Sequence, residues 1–274
     1  MNKLSSILII LITISVKAQT SKPKIVLNHF LVVVDSTTYQ EILKSKILNS
    51  NFAYSYEKNK NYNGIYLIGK NNYIEIFNPK SIQNEENNPG TSWICYSSMK
   101  VNHLEGLNIV SDKINYSTND EFDELSLYLQ DSSNLITTWE MNKKHYENWS
   151  KKTFNDSVNF LSVDYNSPAE SDSSRNYLFS DVVGINISVN KADSSNILNY
   201  MTILGYSKSE INKNKVRFTN SVDFIDIDFH SDETTARVTT IYMKLKNKNK
   251  SERISIGRSE IVIREDLGIW ELIK

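Results

Sequence analysis

One order of elements, a strand followed by a helix and three more strands, occurs three times along this chain of 274 residues. In the first unit an apolar strand at 25–34 precedes a helix at 39–48 and strands at 52–56, 64–68 and 73–77. The second unit has strands at 92–97, 125–129, 135–141 and 158–163, with a helix at 104–114. The third has strands at 182–189, 216–219, 222–229 and 237–245, with a helix at 194–204. Such self-similarity constrains the fold more than any single residue does.

Two polar linkers separate the units. Residues 83–90 (QNEENNPG) and 166–176 (NSPAESDSSRN) are rich in Asn, Ser and Pro, which are typical of connections between compact modules. They divide the chain into modules at 19–83, 91–165 and 177–274, and the last module ends in a short β meander at 253–257, 260–264 and 270–273. The sequence therefore predicts an α+β fold made of repeated βαβββ modules.

The N-terminus carries a targeting signal. Lys3 precedes an apolar run at 7–14 that is too short to span a bilayer, and Ala18 closes the small-residue end of the segment. Residues 1–18 are therefore predicted to be a signal peptide cleaved before Gln19, which sends the protein to the periplasm or the exterior. Cys95 is the only cysteine, so an intramolecular disulfide is excluded.

Composition excludes two classes of partner. Lys and Arg number 31 and Asp and Glu 32, so the net charge of −1 gives no field that would attract nucleic acid. No stretch after the signal is long and apolar enough to insert into a membrane. We therefore expect a small molecule as the partner.

His29 and Glu75 are the candidate chemical residues. Each interrupts an otherwise apolar strand, His29 in IVLNHFLVVVD at 25–35 and Glu75 in NYIEIFNP at 72–79. Buried carboxylates are rare unless they are paired. The two side chains are therefore either metal ligands or a hydrogen-bonded pair, and Glu75 is also a candidate general base for a proton next to a carbonyl.

The same residues support a resemblance to a known superfamily. The segments LNHFLVVVD at 27–35 and GIYLIGKNNYIEIFNP at 64–79 resemble the opening module of the vicinal oxygen chelate, or glyoxalase-like, proteins. The segments around Trp139 and at 253–272 are similar to longer bacterial members of unassigned role. The resemblance implies mixed sheets curled into an open barrel with helices outside and a divalent metal within. It makes His29 the ligand from the first strand and Glu75 the ligand from the last strand of the module.

The other half of such a metal site departs from the family pattern. The matching positions in the third unit are Asn186 and either Asp226 or Asp228, and those in the second unit lie near Cys95 and Asp164. Neither pair repeats a histidine and a glutamate. With Asp226 as a third ligand, the site would hold Mn, Fe, Ni or Zn. Alternatively, Asp226 and Asp228 lie on a solvated strand face.

Two functional hypotheses follow. The first is an exported glyoxalase-like protein that binds a small molecule in the barrel cavity, with Asn186 and Trp139 among the lining residues; Trp139 could equally be a core residue. The second is a metal-dependent isomerase, lyase or dioxygenase in which His29 and Glu75 hold a metal that acts as a Lewis acid. The sequence leaves open whether the protein is an enzyme.

Overall fold

The computed structural model describes residues 25–45, 52–59, 62–82, 88–99, 102–107, 109, 113–129, 135–150, 177–231 and 236–272. The predicted signal peptide at 1–18, the predicted strand at 158–163 and the linker at 166–176 lie outside the described residues, as does most of the linker at 83–90.

In the described part of the chain, eight strands form the first of two sheets. In chain order they are β1 (Ile25–Val33), β2 (Tyr54–Asn59), β3 (Tyr62–Ile68), β4 (Tyr73–Ile82), β5 (Ser92–Ser98), β6 (Ile114–Thr118), β7 (Phe122–Tyr128) and β8 (Leu135–Met141). Their order in the sheet is β2-β3-β4-β1-β5-β8-β7-β6. Strand β1 is parallel to β4 and β5 is parallel to β8, while the antiparallel pair β1–β5 joins the two four-stranded halves.

Six strands form the second sheet. They are β9 (Phe179–Asn190), β10 (Ser207–Asn212), β11 (Lys215–Thr219), β12 (Phe224–His230), β13 (Arg237–Ile256) and β14 (Ser259–Glu271), in the order β10-β11-β12-β9-β13-β14. Strand β9 is parallel to β12, so the first and fourth strands of this unit pair as they do in each half of the first sheet. The α-helices among the described residues are α1 (Ser36–Lys44), α2 (Lys143–Ser150) and α3 (Ser194–Ile203). Two mixed sheets with few helices make this an α+β fold.

A β-bulge at Asn28 changes which side chains of β1 face each side of the sheet. Asn28 has no partner in the ladder with β5, because the register shifts between Leu27 and His29. Ile25 and Leu27 before the bulge, and Phe30 and Val32 after it, all belong to the main buried core. The extra residue therefore turns His29 and the alternate residues after it to the opposite face.

Helices α1 and α3 each contact the sheet of the other unit, although the predicted arrangement has the helices outside. Tyr200 of α3, fully buried, donates its hydroxyl to the Leu125 carbonyl of β7 at 2.7 Å. At α1, the Arg258 N–H between β13 and β14 donates to Thr38 Oγ1 at 2.9 Å. The main core therefore lies between the sheets, and it contains residues of both sheets and of helices α1 and α3.

Polar side chains also join the two sheets. Asp223, just before β12, accepts the Leu27 N–H of β1 at 2.8 Å and the Tyr206 hydroxyl at 2.5 Å. Asn72, just before β4, also forms two hydrogen bonds with the Val182 backbone through its side-chain amide. It donates to the Val182 carbonyl at 2.8 Å and accepts the Val182 N–H at 2.7 Å. These bonds fix the position of β1 and β4 relative to β9 and β12.

The predicted helix at 104–114 is wrong for its described residues. The chain turns at 102–107, and Ile114 begins β6. Buried Glu140 of β8 accepts the N–H groups of His103 at 2.8 Å and Leu104 at 2.9 Å. A carboxylate from another strand therefore satisfies backbone donors in this segment, and no helical turn is needed.

Other boundaries also differ from the predicted ones. Helix α1 begins at Ser36 because the Asp35 carboxylate accepts the Thr37 and Thr38 N–H groups and so caps it. Strands β6 and β10 are additional, and β8 is the last strand of the first sheet's second half. The predicted meander at 253–273 is instead the long hairpin β13–β14.

Among the described residues, no helix has the length and apolar character needed to cross a membrane.

We predict that Asp223→Ala lowers the free energy of unfolding by about 2–4 kcal/mol, because it leaves the buried Leu27 N–H and Tyr206 hydroxyl without their acceptor. Urea unfolding followed by circular dichroism measures the change. The matched control is Glu41→Ala on the exposed side of α1. If the two variants unfold at the same urea concentration, Asp223 does not hold the sheets together.

Candidate functional site

A pocket of about 240 Å³ lies on one face of the eight-stranded sheet. Five strands of that sheet contribute its lining, which consists of His29 and Leu31 (β1), Tyr66 (β3), Glu75 and Phe77 (β4), Trp93 (β5) and Trp139 (β8). We call this side of the sheet the pocket face. His29 and Glu75, which the sequence predicted as candidate residues, lie far apart along the chain but share one pocket. Trp139 lines it with them.

The position of His29 follows from the bulge and from aromatic packing. Its ring stacks on Tyr73 of β4, with centroids 4.6 Å apart and planes 9° apart. Trp139 meets it edge-on at 5.4 Å. Its Nδ1 lies 2.6 Å from the Asn28 side-chain oxygen, and Asn28 also donates to the Ser97 hydroxyl of β5. The orientation of the imidazole is therefore set by the Tyr73 and Trp139 rings and by the contact between Nδ1 and Asn28.

Burial lowers the pKa of His29 from 6.5 to about 3. Transfer of the ring out of water disfavours its charged form. Near pH 7 the imidazole is therefore neutral, and the short contact with Asn28 Oδ1 indicates that Nδ1 carries the proton. In that tautomer Nε2 is the acceptor.

Glu75 reaches the pocket from the middle of β4. Its register partners are Leu31 on β1 and Tyr66 on β3, and both of these also line the pocket. Because directly paired residues on neighbouring strands project to the same side, the pairing alone brings these three side chains together. Glu75 contributes the single carboxyl group of the described lining.

Two tryptophans form a corner of the pocket. The rings of Trp93 and Trp139 are nearly perpendicular, at 88°, with centroids 6.5 Å apart. Trp93 donates its indole N–H to Thr137 Oγ1 at 3.1 Å, and Phe122 stacks on Trp139 at 5.0 Å. These contacts hold both rings in place. The Trp139 Nε1 is buried and has no hydrogen-bond partner among the described residues.

Cys95 faces His29 across the β1–β5 pair, at the position where the sequence suggested a second half-site. The thiol is buried, and burial raises its pKa far above its usual range; the charges of Glu124 and Glu75 act in the same direction. A thiol in this state is not a nucleophile.

The described residues do not form a metal centre with three protein ligands. No group of three or more His, Cys, Asp or Glu side chains in the described part of the chain is arranged to share an ion. His29 and Glu75 are two donors, whereas a catalytic zinc site has three protein ligands. The donor set therefore does not fit a metal held in this way.

Asp226 and Asn186 are not brought to the pocket, because both lie on the six-stranded sheet. Asp226 is buried and accepts two bonds from Arg217, at 2.6 Å to Nε and 2.8 Å to Nη2. It pairs in register with Asn186, whose side-chain oxygen is buried without a partner among the described residues. The two residues are neighbours of each other and not of His29 or Glu75.

The first and third units nevertheless share one frame, in which His29 corresponds to Gly184 and not, as the sequence predicted, to Asn186. Each first strand runs into a cap residue, Asp35 in the first unit and Asn190 in the third. Six residues before those caps stand His29 and Gly184. The position of the imidazole in the first unit is therefore occupied in the third unit by a glycine, which has no side chain. The Phe224 ring packs over Gly184 there. Arg217 covers that ring at 4.2 Å.

Four lining residues were not singled out by the sequence: Leu31, Tyr66, Phe77 and Trp93. The signal that could have found them is the period of two along a strand, because Leu31 lies two residues from His29 and Phe77 two residues from Glu75. That rule requires the correct register between strands, which the sequence does not contain.

Comparison with known proteins gives a family but no activity. The family model that matches residues 27–272 is described as a family of unknown function, DUF5829. No curated protein matches the chain.

Two solved structures are similar in outline. A hypothetical protein from Staphylococcus aureus has a TM-score of 0.46 at 12% identity, over 85% of this chain and 95% of its own. A "putative dioxygenase" from Bacillus subtilis subsp. subtilis str. 168 has a TM-score of 0.30 at 8% identity, over 87% of this chain and 81% of its own. Both likenesses are too low to bear on function.

We predict that wild-type protein loses more stability in acid than His29→Gln does. The unfolded chain takes up a proton near pH 6.5, whereas native His29 takes it up only near pH 3. Between these values the unfolded state holds more protons, so the free energy of unfolding falls as the pH is lowered. Allowing for partial exposure, the contribution of His29 is on the order of 2 kcal/mol. Urea midpoints of both proteins at about pH 7 and pH 4 measure it, and equal losses in the two proteins would contradict it.

Proposed function

The chain belongs to the family DUF5829, and from its pocket face we propose that it binds a small organic molecule between the aromatic side chains and Glu75. The observation that carries this proposal is the convergence of four aromatic rings, one imidazole and one carboxyl group on a single concavity. Small-molecule sites are typically concave and mostly apolar, with few polar groups that set orientation.

The rigidity of the lining also supports binding. The pocket residues stand on strands, and the rings of His29, Trp93 and Trp139 are fixed by stacking or by hydrogen bonds. Side chains that are held in place lose little conformational freedom when a ligand arrives.

We further infer that the protein is an exported member of the glyoxalase-like group. The strand, helix and three-strand order of the first and third units supports that relationship. The charged and apolar pattern of residues 1–18 supports export. On this proposal the ligand is met outside the cytoplasm.

Metal-dependent isomerase, lyase or dioxygenase chemistry is the second candidate, because two of the three residues predicted as ligands, His29 and Glu75, line the same pocket. Elemental analysis of protein purified without chelator tests it, beside His29→Ala and Glu75→Ala. About one equivalent of Mn, Fe, Ni or Zn that is lost in both folded variants would establish this candidate. Absence of bound metal, and of any thermal shift on adding metal, would exclude it.

We predict that at least one of benzyl alcohol, benzoate and benzyltrimethylammonium binds in the pocket with a Kd of roughly 0.1–10 mM. The three compounds share a ring and differ in charge, so the test does not presuppose the charge of the natural ligand. Two-dimensional NMR titration reports binding directly, through the indole N–H signals of Trp93 and Trp139.

Trp139→Ala should weaken that binding about tenfold, which corresponds to about 1.4 kcal/mol. The matched control is Tyr128→Ala, which removes an exposed aromatic side chain of the same sheet outside the pocket. The proposal fails if none of the three compounds gives saturable shifts, or if both variants weaken binding equally.

A further inference from the structure

We propose that the ligand of this pocket carries an alkylated ammonium group, which the tryptophan corner and Glu75 bind together. The inference rests on the proposed function, since it requires that the pocket bind a small molecule. It adds the chemical class of that molecule, a small organic cation.

Aromatic faces are the first reason. Tyr66, Phe77, Trp93 and Trp139 line the pocket, and the two indoles meet at 88° and so form two walls of a corner. On the other side Tyr66 and Phe77 meet at 74° with centroids 6.4 Å apart. The face of an aromatic ring carries partial negative charge, and tryptophan attracts cations best. Rings set at angles around one space are the arrangement that binds alkylated ammonium groups from several sides.

The charge of the lining is the second reason. Of the seven described residues that line the pocket, one is an acid and none is a lysine or arginine. The pocket therefore places its carboxyl group among aromatic rings, where a cationic ligand gains from both.

The size of the pocket agrees with a small ligand. Its volume of about 240 Å³ is below the roughly 300–1,000 Å³ of sites for drug-sized molecules. A headgroup such as choline is of the appropriate size class. An uncharged sugar would also stack on tryptophan, but it needs several hydrogen-bonding side chains, and the lining is mostly aromatic and aliphatic.

The test compares choline with 3,3-dimethylbutan-1-ol, which has the same shape but a carbon atom in place of the charged nitrogen. Both are titrated into the full mature protein and followed by the NMR signals of Trp93 and Trp139. We expect choline to bind at least tenfold more tightly than the neutral compound. Equal affinities, or no saturable binding of choline, would overturn the inference.

Two variants locate the charge effect. Glu75→Gln should weaken choline binding about tenfold and leave the binding of 3,3-dimethylbutan-1-ol unchanged. Glu41→Gln changes the net charge equally on the exposed side of α1 and should change neither. If both variants weaken choline binding to the same extent, the effect is one of net charge and the inference is wrong. The wild-type comparison stands even if Glu75→Gln fails to fold.

Free cations and lipid headgroups share this chemistry, and a sedimentation experiment with phosphatidylcholine vesicles separates them. Protein that binds free choline and stays in the supernatant has a soluble ligand, whereas sedimentation that choline abolishes indicates a headgroup; either result supports an alkylated ammonium ligand. Failure of this inference can also be distinguished from failure of the proposed function. If benzyl alcohol binds at the tryptophans but choline does not, the pocket binds small molecules and only the cation is wrong.

Discussion

The bulge at Asn28 is the constraint on which the arrangement of the pocket depends. Without the extra residue, the alternation that buries Ile25 and Leu27 would continue through His29 and direct the imidazole into the main core. With it, Phe30 and Val32 enter the core and His29 faces Tyr73 and Trp139. The bulged residue then holds the imidazole through its own side chain. One irregular residue therefore lets β1 place His29 on the pocket face while its apolar side chains pack in the core.

The two sheets use one backbone frame for different purposes. In the first unit Leu31 and Glu75 are paired across the parallel strands, and in the third the pair is Asn186 and Asp226. The carboxylate of the first pair lines an open pocket. The carboxylate of the second is held by Arg217, whose guanidinium also lies over Phe224. A cation from the neighbouring strand and a ring over a glycine are enough to convert a concavity into a packed surface.

Much of the fold could be predicted from residue patterns, but the contacts between distant strands could not. Apolar runs locate β1, β4 and β9, and spacing locates α3. Strand β10 carries no such signal because all of its residues are exposed. The segment after β5 has apolar residues at helical spacing, yet Glu140, far along the chain, satisfies its backbone.

The same limit applies to the candidate site. His29 and Glu75 could be found because polar residues stand out in apolar strands, and their shared pocket follows from the parallel pairing of β1 and β4. Asp226 has the same local pattern, and only the position of Arg217 on the neighbouring strand sets it apart. Sequence alone does not distinguish a carboxylate that lines a pocket from one that an arginine binds on a packed sheet.

The ring of Phe224 over Gly184 has an evolutionary implication. It occupies, in the third unit, the space that corresponds to the imidazole and its surroundings in the first. A shorter side chain at 224 would vacate that space while leaving Asp226 and Asn186 beside it on rigid strands. Because that space lies on the six-stranded sheet, such a change would leave the residues that line the pocket of the other sheet as they are.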